Sequence, residues 1–264
     1  MRILFLGDVV GKPGRRAVGA VLPRLIDRER LDLVVANCEN IAGTAGVDPK
    51  SARQLLDAGV HVLTSGNHVW RDKNIVEFIG SESRLLRPAN FPPMVPGRGW
   101  IVCETADGTP VAVLNLIGRV FMDSVDCPFR VAENLVPELQ ARARVIVVDM
   151  HGEATSEKAA MGWLLAGKVS AVLGSHTHVQ TADERILADG TAYITDVGMC
   201  GPSESVIGVR REQVIQRFLT HMPVKFEVAG GPVLVQGVFV EVDPGTGHAV
   251  SIQRMQELYG APPS

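Results

Sequence analysis

The sequence predicts an α/β fold with two sheets and helices outside them. Three observations carry this. Short apolar runs without polar interruption, such as Ile3–Leu6 and Leu33–Ala36, suit strands buried on both faces. Segments with apolar residues at helical spacing separate these runs. The last third is rich in strand signals. Alternating strands and helices predict parallel pairing with right-handed crossovers.

Taken in order, Ile3–Leu6 is the first strand, ended by Gly7-Asp8. Val18, Val21, Leu22, Leu25 and Ile26 form the apolar face of the first helix. Pro13 suits its first turn, whereas Pro23 inside it predicts a kink. Leu33–Ala36 and Val60–Leu63 are strands, and Ser51–Ala58 and Lys73–Ile79 are helices. The Pro- and Gly-rich run Pro88–Gly99 is a loop. Trp100–Glu104 and Pro110–Ile117 form a hairpin around Asp107-Gly108. A helix near Ala132–Ala143, a strand at Val145–Val148, a helix at Ser156–Ala166 and a strand at Val169–Leu173 follow. Strands are then expected at Tyr193–Thr195, Val224–Val228, Val233–Val242 and Ala249–Arg254, with one helix near Glu212–His221. No repeat or linker interrupts the chain, so one domain over residues 1–264 is expected.

Of 264 residues, 46% are hydrophobic and 21% charged, which excludes a disordered chain. The net charge of −3 argues against a basic nucleic-acid surface and a stable nucleic-acid complex. No run approaches the length of a membrane span, and Met1–Arg16 does not read as a signal peptide. Cys38, Cys103, Cys127 and Cys200 are too scattered for a C-x-x-C motif and fit a reducing, cytoplasmic compartment.

In such folds, ligands sit at the C-terminal ends of parallel strands. Five strand ends here carry metal-ligating or proton-carrying residues: Asp8, Glu39-Asn40, Asn67-His68, His151, and His176 with His178. A lone histidine after a strand is most often structural. Five such strand ends point to one shared site. Imidazole, carboxylate and amide oxygen suit iron, manganese or zinc, without any thiolate. Asp8 and Glu39 bring two negative charges, so two divalent ions would leave the site positive and attractive to phosphate. Such a pair can clamp a phosphoryl group and acidify a bridging water.

The order Gly7-Asp8, an acidic strand end, Gly66-Asn67-His68, a lone His151 and Gly174-x-His176-x-His178 resembles the calcineurin-like metallophosphoesterases. Most of that superfamily has D-x-H first and G-D-x-x-D second. Here Asp8-Val9-Val10 lacks the histidine, and Cys38-Glu39-Asn40 puts a glutamate where the bridging aspartate usually stands. These departures, with Gly43, Gly118-Arg119-x-Phe121-Met122, Glu153–Lys158 and Asp196-x-Gly198-Met199-x-Gly201, look like the Bacillus-type YmdB phosphodiesterases. The similarity runs from Met1 to about Gly208.

The resemblance implies a four-layer αββα sandwich of two mixed sheets. It implies a first metal held by Asp8, Glu39, Asn40 and His178, and a second by Glu39, Asn67, His151 and His176, with Glu39 bridging. Asn40 would compensate for the histidine missing at Val10. His68 would bind no metal but stabilise the phosphate or protonate the leaving oxygen, the usual role of a histidine acid. A metal-bridging hydroxide would attack phosphorus. The implied substrates are cyclic nucleotides, 2′,3′-cyclic ones favoured and 3′,5′-cAMP as a further candidate. The implied metals are Fe or Mn, with Zn as an alternative, and the implied assembly is a homodimer or homotetramer. The rivals are a phosphomonoesterase or protein phosphatase on the same site, and a regulatory nucleotide binder of low turnover.

Several residues keep two readings. Gly11–Arg15 is either a phosphate contact or a turn packed under the site. Arg119 and Phe121 either line the substrate pocket, or Phe121 with Met122 fills core or interface. Asp196 either orients a ligand histidine or closes a turn. Thr155 or Ser156 is expected to cap the following helix, with Glu157 favoured by its dipole. His61 and the cysteines are expected to be structural, His221 to sit at a helix C-terminus and His248 beside the Gly245–Gly247 turn.

Overall fold

The first sheet owes its centre to the two longest-buried apolar runs. The computed structural model describes residues 1–260. Strand β1 (Arg2–Leu6) pairs in parallel with β3 (Leu33–Asn37), and β3 pairs in parallel with β4 (Val62–Thr64). On its other side β1 runs antiparallel to the long β12 (Val233–Val242). β12 also pairs with β11 (Met199–Pro202) and with β13 (Ala249–Tyr259), and the two-residue β2 (Asp8–Val9) joins β11.

The second sheet has the order β5-β6-β7-β8-β10-β9. Its hairpin, β5 (Trp100–Glu104) and β6 (Pro110–Ile117), is the expected one. β6, β7 (Val145–His151), β8 (Ala171–Ser175) and β10 (Thr191–Ile194) are parallel, and β9 (Arg185–Leu187) closes the edge antiparallel to β10.

The period-two alternation of strand side chains divides the core into three layers. Ile3 and Phe5 of β1, Leu33 and Val35 of β3, Val111 and Val113 of β6 and Val145 and Val147 of β7 meet between the sheets. Leu4, Leu6, Val34 and Ala36 face α1 (Gly11–Glu29) and α2 (Pro49–Asp57). Ala112, Leu114, Ile146 and Val148 face α4 (Pro128–Gln140) and α5 (Thr155–Leu165). The result is the implied αββα sandwich. Two further helices, α3 (Ile75–Ser81) and α6 (Arg211–Thr220), complete the six α-helices among the described residues. Burial on both faces explains why these strands read as unbroken apolar runs.

Three local expectations change. Val224–Val228 forms no strand. Its only sheet-like contact is a single bridge from Val228 to Val209. β2, β9 and β11 carry too few residues to show a period in the sequence. The end of the helix expected near Ala132–Ala143 holds to within a turn, but its start moves back to Pro128, a helix N-terminal position that proline favours.

Candidate metal and phosphate site

All five strand ends converge where the C-terminal edges of the two sheets meet. β1 breaks at Gly7, a position only glycine fits, since a Cβ there would lie 2.1 Å from the carbonyl oxygen of Gly198. The chain resumes as β2 with Asp8 at its first residue, fully buried. Glu39 and Asn40 follow β3, Asn67 and His68 follow β4, His151 ends β7, and His176 and His178 follow β8. Glu39, His151 and His176 bring ligand atoms within 4.8 Å of one another.

Distances define two halves that share Glu39. In one, His151 Nε2 stands 3.0 Å from Glu39 Oε2, and His176 Nδ1 is 3.0 Å from His151 Nε2 and 3.8 Å from Glu39 Oε1. In the other, His178 Nε2 is 3.8 Å from Asp8 Oδ1 and 3.0 Å from Asn40 Nδ2, while Asn40 Nδ2 is 3.3 Å from Glu39 Oε1. His68 Nδ1 faces Asn40 Oδ1 at 3.1 Å and Glu39 Oε1 at 3.3 Å.

The far nitrogen of each of His151, His176 and His178 is occupied, which sets its tautomer. His178 Nδ1 donates to the carbonyl of Ile207 at 2.9 Å, so Nε2 faces the site unprotonated. Ser175 Oγ donates to Asp149 Oδ1 at 2.6 Å and so accepts from His151 Nδ1 at 2.9 Å, again leaving Nε2 free. His176 is reversed. Its Nε2 meets Glu153 Oε2 at 3.2 Å and its Nδ1 turns inward.

The donor set fits divalent metal. Asp8 Oδ1 and Asn67 Oδ1 are buried oxygens without any hydrogen-bond partner. Orphaned buried acceptors are costly unless something absent from the protein satisfies them. Burial pushes the Asp8 carboxyl well above its usual pKa. For Glu39, burial is the largest single influence and opposes ionisation, but His151, His176 and His68 together hold it well below the carboxylate range.

A model of the YmdB-like protein family matches residues 4–255, which is nearly the whole chain. The chain belongs to the YmdB-like family. It is 48% identical over 255 residues to the 2′,3′-cyclic-nucleotide 2′-phosphodiesterase of Bacillus subtilis strain 168, covering 97% of this chain and 96% of that protein. A crystal structure of a hypothetical protein from Thermus thermophilus superposes with a TM-score of 0.92 at 42% identity, covering 98% of this chain and 99% of that one. A crystal structure described as a novel phosphatase of Mycoplasma pneumoniae superposes equally well, at 36% identity, covering 99% and 95%.

Within this YmdB-like chain the undecided residues resolve unevenly. Gly11 N–H donates to Asn40 O at 2.9 Å, and a Cβ on Gly14 would lie 2.2 Å from Cys200 O. The Gly11–Arg15 turn therefore packs under the site, with its first N–H already used. Phe121 is 89% exposed with φ of +61°, so it fills no core, whereas Met122 packs on the helix side of the first sheet. Arg119 is exposed beside it. Neither Thr155 nor Ser156 caps α5. Ala154 holds that position without a side-chain bond, and Glu157 accepts N–H bonds from Arg119 and Val120 instead. Asp196 accepts from Thr177 N and Thr177 Oγ1, between His176 and His178. His61 is structural, accepting from Val34 N at 3.0 Å. His221 caps α6 and His248 is exposed at its turn, as expected.

Sequence reading missed the layer behind the ligands. Asn37 donates to Asp149 Oδ2 at 3.0 Å and so ties β3 to β7 under His151. Asp149 carried a visible signal: a charged residue inside an otherwise apolar strand. Asn37 and Ser175 carried none.

Cys38 and Cys200 are buried near the site, while Cys103 and Cys127 are half-buried. Burial pushes the Cys200 thiol up to about 12 and raises Cys38 and Cys103 as well. Cys127 moves the other way, chiefly through the N–H of Arg130 at the start of α4. Thiolate is the reactive form. Alkylation of the native protein at neutral pH, read by peptide mass spectrometry, is therefore expected to modify Cys127 first and to spare Cys38 and Cys200 until the protein unfolds. Early modification of Cys200 would contradict this environment.

Proposed function

We propose that this protein is a metal-dependent phosphodiesterase that opens cyclic nucleotides, with 2′,3′-cyclic nucleotides preferred and 3′,5′-cAMP as a further substrate. The observation that carries the reading is the convergence of Asp8, Glu39, Asn40 and His151, all buried, with the partly buried Asn67, His176 and His178, and with two orphaned oxygens among them. The activity of the Bacillus subtilis relative supports the choice of substrate.

Asp8, Glu39, Asn40 and His178 would hold one divalent ion, and Glu39, Asn67, His151 and His176 the other, with Fe or Mn favoured by the N/O donor set and Zn as an alternative. When bound, the ions supply positive charge for the phosphoryl group and a more acidic water. The chain itself supplies proton handling. His68 directs Nδ1 to Asn40 and Glu39, so its Nε2 is the atom available to the leaving oxygen or the phosphate. Arg119 and Phe121 stand on the loop that follows His151's neighbour strand, where Gly118 N donates to His151 O at 2.8 Å. A cation and an exposed ring there suit a nucleotide's phosphate and base.

The direct test is turnover of 2′,3′-cAMP, 3′,5′-cAMP, bis-p-nitrophenyl phosphate and p-nitrophenyl phosphate after separate loading with Mn²⁺, Fe²⁺ and Zn²⁺, with Asp8→Ala as control. Diester turnover lost in the control supports the reading. Preference for the monoester favours a phosphatase, and no turnover by the loaded protein favours a regulatory binder. His68→Ala is expected to keep both metals by elemental analysis and to lose about 10²–10⁴-fold in kcat. Loss of metal in that variant would make His68 a ligand instead.

Among the described residues no helix is long and apolar enough to cross a membrane. A cytoplasmic location accords with four unpaired cysteines. A homodimer or homotetramer accords with the exposed Ile215, Phe218, Leu219 and Met222 on and just after α6. Phe218→Glu is then expected to lower the mass seen by light scattering, and an unchanged mass would remove α6 from any interface.

A further inference from the structure

The first turn of α5 holds an acid and a base at consecutive positions, Glu157 and Lys158, and both are buried. Neither faces the ring of ligand atoms. Each reaches a different loop around it.

Glu157 reaches the loop after β6. Its two carboxylate oxygens accept the N–H of Arg119 at 3.0 and 3.1 Å, and Oε2 accepts that of Val120 at 3.2 Å. The approach requires a glycine, since a Cβ on Gly118 would stand 2.4 Å from Glu157 Oε2. Three residues after Gly118, Phe121 has the left-handed backbone that a non-glycine residue keeps only where its surroundings impose it. Asn90 secures both ends of the same loop through Ile117 O at 2.8 Å and Asp126 O at 2.9 Å.

Lys158 reaches the turn after β8. Its Nζ donates to Ser175 O at 3.1 Å and to Asp196 Oδ2 at 2.8 Å. That same oxygen accepts Thr177 N at 3.0 Å and Thr177 Oγ1 at 2.8 Å. Thr177 stands between His176 and His178, whose φ angles are +101° and +65°. Two such residues flanking one threonine are costly unless their neighbours hold them. Gly174 leaves room for both the Thr195 backbone and the lysine stem, since a Cβ there would overlap the Thr195 carbonyl and meet Lys158 Cδ at 2.8 Å.

We propose that Glu157 and Lys158 are positioning residues with separable outputs: Glu157 sets the nucleotide-contacting rim of Arg119 and Phe121, and Lys158, through Asp196, sets the turn that aims His176 and His178 at the metals. The proposal rests on the site reading above, since it assumes nucleotide at that rim and cations at those histidines. It assigns a physical task to the segment Glu153–Lys158.

The test measures equilibrium binding, so it does not depend on catalysis. Mn²⁺ binding to metal-stripped protein is read by calorimetry, and 3′-AMP binding to the Mn²⁺-loaded protein is read as a Kd. Glu157→Ala is expected to weaken 3′-AMP about tenfold, a shift well within what ångström-scale misplacement causes, and to leave Mn²⁺ affinity in place. Lys158→Met is expected to weaken Mn²⁺ by about 10–100-fold, the usual effect of losing a partner behind a metal ligand. Lys158→Met strands the buried charge of Asp196 and can prevent folding. The double variant Lys158→Met with Asp196→Asn removes both charges and is expected to show the same loss of Mn²⁺. Opposite specificities in the two variants support the proposal. Equal losses of both ligands, tracking the fall in Tm, or no loss of either, overturn it. A wild-type protein that binds both ligands without turnover would count against the catalytic reading and leave the positioning result intact.

Discussion

Glu39→Gln is expected to remove most bound metal and nearly all activity while leaving the fold in place. Glu39 faces both halves of the site, with His151 at 3.0 Å and His176 at 3.8 Å on one side and Asn40 at 3.3 Å on the other. The substitution keeps the shape and deletes the charge. A unit charge 4 Å from a cation is worth about 4 kcal/mol at an effective dielectric of 20, or roughly a thousandfold in affinity. If Glu39 serves both ions, both suffer. Elemental analysis after dialysis and kcat/KM on a cyclic nucleotide check this together. Loss of one metal equivalent would show that Glu39 serves a single ion, and full metal content with a normal rate would remove it from the site.

The second large effect is expected from the smallest change, Gly66→Ala. A Cβ at Gly66 would lie 2.1 Å from His151 Nε2 and 2.3 Å from Glu39 Oε2, closer than unbonded atoms approach. His151 is held from behind, because its other nitrogen donates to Ser175 Oγ at 2.9 Å. The methyl group therefore displaces the two side chains most central to the site. Activity is expected to fall by about 10² or more, the scale on which small misplacements act. The stability loss should be a milder ~1–3 kcal/mol, typical of overpacking. Gly19→Ala is the control. Nothing lies within 4 Å of a Cβ there, inside α1, so activity should hold and stability should rise slightly. Activity unchanged in Gly66→Ala would show that the site has more room than these distances allow.

Much of the site was legible because its residues obey a local rule. Asp8, Glu39, Asn40, Asn67, His68, His151, His176 and His178 all sit at or just past strand ends, and strand ends can be read from runs of four or five apolar residues. Elements that lack such a run were not legible. β2 and β11 have two and four residues and exist only because each finds an edge to pair with. Val224–Val228 has β-forming residues but joins neither sheet, Val228 making an isolated bridge to Val209. Glu157 shows the same limit for a side chain. Its position in the first turn of a helix suggests a dipole partner, yet Arg119 and Val120, 38 and 37 residues away, claim its carboxylate.

Residue order alone tells which strands are buried on both faces and which residues reach the rim of the sheets. Those properties follow from side-chain period and from the few residues on either side. Which residue faces which is set by the packing of the two sheets. The tautomers of His151 and His178 depend on Ser175 and on Ile207. The inward Nδ1 of His176 depends on Glu153, and the left-handed turn around Thr177 depends on Asp196 and Lys158. Such pairings join residues brought together by the packing of two sheets, and hydrogen bonds form only at distances that this packing sets.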